Sequence, residues 1–262
     1  MTITITDLER ALRSIGLDAG DSLIVHSSFR SLRPFDGGPG DVLDTILRVI
    51  GPQGNLMLPT FNYSRPLPEP YFDPAGTPCR TGVIPELGRQ RAGALRSLHP
   101  THSVAVIGAD AQVLTEGHLD GRTFGIGSPV DRLAERGGKV FLLGVDHTTN
   151  STIHVAEEHA GLPKVDRADR PPFASVLMPD GTLREHPLDS SPSCSHGFER
   201  IAPAVSAARV TLGACVLQIM DARQLIATVV QRLRDDPTAL LCDNPACASC
   251  RGIERNLEGR ER

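Results

Sequence analysis

Lys139-Val140-Phe141-Leu142-Leu143-Gly144-Val145-Asp146-His147-Thr148-Thr149-Asn150-Ser151-Thr152-Ile153-His154-Val155-Ala156-Glu157 is the stretch that decides the architecture. Its first five residues, with the apolar run Val140 to Leu143, carry the signature of a buried strand, and a polar loop follows. Asn150 or Ser151 offers an N-cap, so a helix begins there. On that helix His154 and Glu157 stand at i, i+3 and leave from one face. The stretch therefore predicts a strand-loop-helix unit with a base and a carboxylate at its mouth, a workable start for an active site.

The same alternation extends outward on both sides. Thr6-Asp7-Leu8-Glu9 fits a capping box, and Leu8, Leu12 and Ile15 form the apolar stripe of a first helix ending near Gly16. Ser22 to His26 reads as a strand. Asp36 to Gly40 is a turn into a helix over 41–50, stopped by Gly51-Pro52. Asn55 to Pro59 is the next strand. A long loop over 60–80 carries Pro66, Pro68, Pro70, Pro74 and Pro78, and long loops inside compact domains are often functional. Helices are predicted over 83–91 and 109–116 and from Ser128-Pro129, with a strand over 103–108. Alternating strands and helices predict a mainly parallel central sheet flanked by helices.

Beyond Pro163 the pattern changes. Phe173 to Met178, the turn Pro179-Asp180-Gly181, and Thr182 to His186 read as a hairpin, the antiparallel portion of an α/β fold. Val210 to Ile219 reads as one strand and Ala222 to Leu233 as an amphipathic helix. The tail from 236 to 262 reads as polar and irregular. One domain is expected over 1–262, with its core at about 5–235.

Composition excludes several function classes. Of 262 residues, 22% are charged and the formal net charge is −4, which opposes a nucleic-acid partner. Aromatic residues make up 4%, with no Trp, so base-stacking platforms are not expected. No apolar run approaches a membrane span. Met1 to Asp7 lacks the basic and apolar regions of a signal peptide, so a soluble cytoplasmic protein is expected. Six cysteines do not make a disulfide scaffold at this length.

Several familiar motifs are absent. Gly37-Gly38-Pro39-Gly40 is neither a Walker loop nor a dinucleotide fingerprint and reads as a turn. No Gly-x-Ser-x-Gly elbow is present, and His154 to His159 does not supply a His-Glu-x-x-His zinc site. Ser128 fits an N-cap. His26, His99, His102 and His154 sit at strand ends, where open α/β sheets hold ligands. Cys242, Cys247 and Cys250 are candidates for zinc with Cys194 or His196 as a fourth ligand, or simply reduced surface thiols. The favoured reading assigns no metal.

The ordered set of local motifs resembles the aminoglycoside N3-acetyltransferase family. The carrying stretches are His26-Ser27-Ser28 with Arg33 and Gly37-Gly38; Pro59-Thr60-Phe61; Phe72-Asp73-Pro74 with Thr77-Pro78, Gly82 and Pro85-Glu86; His99-Pro100 with Ser103-Val104 and Gly108; Gly127-Ser128-Pro129 with Gly137-Gly138-Lys139; and Leu142-Leu143-Gly144 with Thr152 to Glu157. The resemblance implies an antibiotic N-acetyltransferase-like fold distinct from the GNAT acetyltransferases. It implies direct acetyl transfer from acetyl-CoA to an amine, with His154 the catalytic histidine and Glu157 its partner. It places Ser27, Ser28, Arg33, Ser103, Val104 and Ser128 against the co-substrate.

The chemistry agrees: an ammonium must lose a proton before attack, and a neutral imidazole is a suitable base near pH 7. Asp146, Glu158 and Asp189 are candidates to attract a cationic acceptor. The expected partners are therefore acetyl-CoA and a cationic amine, without nucleic acid or membrane, and with room for a homodimer. Two alternatives stand beside this reading: CoA-dependent N-acylation of a different amine in secondary metabolism, and a non-catalytic zinc-stabilised binding protein.

Overall fold

The computed structural model describes residues 2–63, 70–166 and 171–260; Pro66 and Pro68 of the long loop lie outside them. The elements run α1 (Ile5–Ser14), β1 (Ser22–Ser27), α2 (Pro39–Ile50), β2 (Asn55–Pro59), α3 (Val83–Arg89), β3 (Leu95–Arg96), β4 (Val104–Gly108), α4 (Ala111–Thr115), α5 (Pro129–Glu135) and β5 (Lys139–Leu143). Then follow α6 (Thr152–His159), β6 (Phe173–Leu177), β7 (Leu183–Pro187), β8 (Ala208–Leu212), β9 (Cys215–Asp221), α7 (Ala222–Asp235) and α8 (Ala248–Arg260). Short 3-10 stretches occupy Phe29–Leu32, His147–Thr149 and Ser195–Ala204.

Seven strands form one sheet in the order β3-β4-β2-β1-β5-β9-β8. The three central strands β2, β1 and β5 are paired in parallel. The outer pairings are all antiparallel, yet only β4 and β9 run against the rest, so five of the seven strands share one direction. β6 and β7 form the separate antiparallel hairpin that their turn sequence predicts.

Residue alternation makes the sheet two-faced. Leu23, Val25, Leu56, Leu58, Phe141 and Leu143 pack on one side with Leu8 and Leu12 of α1 and Val42 and Ile46 of α2. Ile24, Met57, Val140 and Leu142 pack on the other with Leu133 of α5, Ile153 of α6 and Leu225 and Val229 of α7. A fully buried Leu, Ile or Phe is worth about 1.5–3 kcal/mol over an exposed one, so slipping β1 or β5 by one residue would forfeit several such terms at once. The register is thereby fixed, with Ser27 opposite Leu143 at the carboxyl ends of the two central strands.

Several expectations are corrected. The α1 cap is Thr4, whose hydroxyl accepts the Asp7 N–H while the Asp7 carboxylate accepts from Thr4 N–H. Val210 to Ile219 is the hairpin β8–β9, because Gly213 adopts φ +63° and turns the chain between them. The tail is helical over Ala248–Arg260, and its own small apolar cluster joins Cys250 and Ile253 to Leu241 and Val165. Among the described residues no helix is long and apolar enough to cross a membrane.

Candidate active site

β5 delivers the chain to the edge of the sheet, and Gly144 lets it turn. Gly144 adopts φ +62°, and a Cβ there would overlap Ser31 Oγ at 1.6 Å, so no other residue fits without rearrangement. Asp146 then caps the next turn through the Thr148 N–H at 2.9 Å. The cap of α6 is Asn150, whose Oδ1 accepts the Thr152 N–H at 3.2 Å; Ser151 occupies the N-cap position but its hydroxyl makes no cap bond.

From α6, His154 Nδ1 meets Glu157 Oε2 at 2.7 Å. Glu157 is 3% exposed, and its other oxygen accepts the Ser193 hydroxyl. An ionised carboxylate can only accept, so it selects the Nδ1–H tautomer and leaves Nε2 as the lone-pair nitrogen. The imidazole is flanked by Phe124 at 5.1 Å and Phe198 at 4.9 Å between ring centroids, which fixes its plane.

His154 lines a cavity of about 450 Å³ together with Val25, His26, Ser27, Phe61, Tyr63, Gly82, His102, Ser151 and Ser195. Three of the lining groups, His26 Nε2, Ser27 Oγ and Ser151 Oγ, are buried polar atoms without a hydrogen-bond partner among the described residues. Buried polar groups are almost always satisfied, so three such atoms beside one cavity are unusual. Burial, reinforced by the nearby His147, pushes the His26 imidazole down to about 3, so it is neutral near pH 7.

Two further cavities adjoin the first. One of about 590 Å³ shares Ser27 and Gly82 with it and adds Ser28, Phe29, Arg30 and Arg33. Its two exposed guanidinium groups suit a polyanion. The other, of about 20 Å³, shares His102, Phe124 and His154 and adds Glu158, Lys164 and Asp189. Glu158 pairs there with Lys164 and with Arg122 Nη1 at 2.9 Å. Burial raises the Asp189 carboxyl, but the Thr123 N–H at 3.0 Å, its hydroxyl at 2.9 Å and the Lys164 charge outweigh burial and hold it below the usual range. His154 thus lines both the main cavity, which adjoins the arginine-lined cleft through Ser27 and Gly82, and the recess of Glu158, Lys164 and Asp189.

The structure brings together His154, Glu157, Ser27, Ser28, Arg33, Glu158 and Asp189, and separates the remaining predicted residues from them. Ser103 is fully buried, bonded to Thr60 and to Arg96 Nε at 3.0 Å. Val104 is 1% exposed in the apolar core. Ser128 is 2% exposed, and its hydroxyl caps α5 through the Asp131 N–H. None of the three lines the cleft, because each is consumed by the local structure its own sequence builds. Asp146 is exposed and spends its carboxylate on Thr148. Cys242, Cys247 and Cys250 lie apart from the cleft and gather with Cys194, whereas His196 is exposed and outside that group.

Sequence reasoning missed Ser193, Phe124, Phe198, Tyr63 and Arg30. Ser193 and Phe198 reach the site because the 195–204 stretch packs on the loop after β5, where the His147 N–H donates to Glu199 Oε2 at 2.8 Å. Pairings so distant along the chain leave no periodic trace in a single sequence.

An imidazole tied to a buried carboxylate and lining a cavity beside the central strands of an α/β sheet has the parts of an enzyme active site. The sequence profile described as aminoglycoside 3-N-acetyltransferase matches residues 24–234. The aminoglycoside N(3)-acetyltransferase IV of Salmonella sp is 30% identical over 239 residues, covering 88% of this chain and 87% of that protein. A mutant of aminoglycoside acetyltransferase AAC(3)-IVa in complex with a gentamicin superposes with a TM-score of 0.83 at 28% identity, over 97% of this chain and 98% of that one. AAC-IIIb in a binary complex with CoASH gives 0.78 at 25% identity, over 94% and 100%. The chain belongs to the aminoglycoside 3-N-acetyltransferase family and is an acyltransferase of that kind.

Proposed function

We propose that this chain transfers the acetyl group of acetyl-CoA to the 3-amino group of an aminoglycoside, with His154 as the general base. The observation that carries this reading is the His154–Glu157 pair, whose imidazole lines both the main cavity and the recess. Acetyl-CoA supplies an activated thioester carbonyl. Ser27, Ser28, Arg30 and Arg33 would hold it, since two guanidiniums beside serine hydroxyls match a phosphate-rich chain. A relative with CoASH bound and another with a gentamicin bound support both partners.

Glu158, Asp189 and Lys164 line the recess beside His154; Glu158 is held by Lys164 and Arg122, and the Asp189 carboxylate would draw a cationic acceptor toward the imidazole. His154 Nε2 would take a proton from the acceptor ammonium, the freed amine would attack the thioester carbonyl, and the C–S bond would break to release CoA, whose sulfur recovers a proton from the imidazolium. Glu157 receives the Nδ1–H, fixes the tautomer and steadies the imidazolium, and the Ser193 hydroxyl holds Glu157 in place. Phe124 and Phe198 keep the ring aimed without adding charge.

The experiment is acetyl transfer to gentamicin, followed by thiol release and by assignment of the acetylated nitrogen by NMR. Release of CoA with acetylation at the 3-amino group is expected. Silence across gentamicin, sisomicin and apramycin, with CoA binding intact, would contradict the acceptor. Acetylation at another nitrogen would contradict the regiochemistry.

A further inference from the structure

Four of the six cysteines, Cys194 and three from the 242–250 segment, converge outside the cavities around His154. The Sγ atoms of Cys194, Cys242, Cys247 and Cys250 all lie within 4.8 Å of one another, and those of Cys194 and Cys250 are 3.5 Å apart. Sulfurs on a tetrahedral zinc at the usual bond length of about 2.3 Å stand about 3.8 Å from one another. A mutual four-way cluster matches that array; two disulfides would instead bring the sulfurs to about 2.05 Å in separate pairs.

The surroundings fit a thiolate-bound cation. Cys247 and Cys250 are spaced C-x2-C across the start of α8. The backbone N–H groups of His196 and Cys250 face the sulfurs of Cys194 and Cys247, the position outer-shell donors take at metal sites. Arg251, next to Cys250, keeps a buried Nε–H that has no hydrogen-bond acceptor among the described residues. Its guanidinium also donates to the Cys242 carbonyl and pairs with Glu254, which ties the start of α8 to the cysteine segment.

We propose that Cys194, Cys242, Cys247 and Cys250 bind one structural zinc ion. All four positions are filled by sulfur, as in closed structural sites, so the ion performs no chemistry on substrate. It pins three parts of the chain: the residue before the 195–204 stretch, the segment after α7, and the first turn of α8. Apart from it, α8 rests on one small cluster built from Leu241, Ile253, Leu162, Val165 and Leu257. Cys194 is flanked by Ser193, which holds Glu157, and Ser195, which lines the main cavity.

The test is metal analysis of the full-length protein purified without chelator, with zinc in the growth medium. The expected result is about one zinc per chain, falling at least tenfold in Cys247→Ser. Exchange into cobalt should give thiolate-to-cobalt charge-transfer absorption and strong tetrahedral ligand-field bands. That spectrum is recorded on the unaltered protein, so it decides the matter even if the variant does not fold. A metal-free protein whose four thiols titrate freely, or are paired as disulfides, would overturn the proposal. Zinc retained in full by Cys247→Ser would also overturn it.

Discussion

At the scale of single residues, the site is a short relay of committed hydrogen bonds. Glu157 binds His154 with one oxygen and Ser193 with the other, so it has no spare geometry. Glu157→Gln should therefore lose kcat, but less than removal of the imidazole, because the ring keeps its flanking Phe124 and Phe198 while its tautomer is no longer enforced. Ser193→Ala leaves a buried carboxylate oxygen short of a donor, and unfolding free energy should drop by about 1–3 kcal/mol, read from denaturant midpoints. That His154 and Glu157 share a helix face was legible from their i, i+3 spacing, whereas a role for them came only with the family resemblance. Ser193 was not legible, since nothing in Ser190-Ser191-Pro192-Ser193 marks which hydroxyl will meet a helix 36 residues away. Ser103 and Val104 misled the reading because a polar-apolar pair at a strand start looks alike whether it lines a cleft or a core.

At the scale of elements, the central strands were legible because the short apolar runs Leu23 to Val25, Leu56 to Leu58 and Val140 to Leu143, each set between helical or turn segments, admit few readings. The β8–β9 hairpin was not, since Val210 to Ile219 reads as one strand unless Gly213 is recognised as its turn. α8 was hidden for a different reason: its sequence is polar, and its fixed place depends on contacts made by Cys250 and Ile253 to distant segments. The junction between β5 and α6 depends on Gly144, whose left-handed φ and contact with Ser31 admit no side chain. Gly144→Ala should cost at least about 1–3 kcal/mol from backbone strain, with the larger part of any activity loss arising from the displaced loop. A lowered denaturant midpoint at unchanged m-value would bear this out, and an unchanged midpoint would contradict it.

At the scale of the whole molecule, helices cover both faces of the sheet, and the cleft opens at the carboxyl ends of β1 and β5. We expect one cooperative unfolding transition over the whole chain, checked by calorimetry; two separated transitions would contradict a single domain. Buried histidines set how stability responds to acid. Burial pushes His118 down to about 4 and His26 to about 3, from an ordinary value of 6.5. Below 6.5 the unfolded chain gains protons that these folded rings refuse. Stability is therefore full above 6.5 and falls as pH drops toward the folded values, by about 1.4 kcal/mol per pH unit for each ring. Unfolding free energies at pH 7.5, 6.0 and 5.0 should show that slope, and His118→Gln should flatten it by about one ring's share. A slope unchanged in the variant would contradict the assignment.

The most direct measurement for the account as a whole is the turnover of His154→Ala alongside its affinity for CoA. General-base removal predicts that kcat falls roughly 10²-fold or more while the Kd for CoA stays within about threefold of the parent. A kcat within about threefold of the parent would contradict the central claim that this imidazole takes the acceptor's proton.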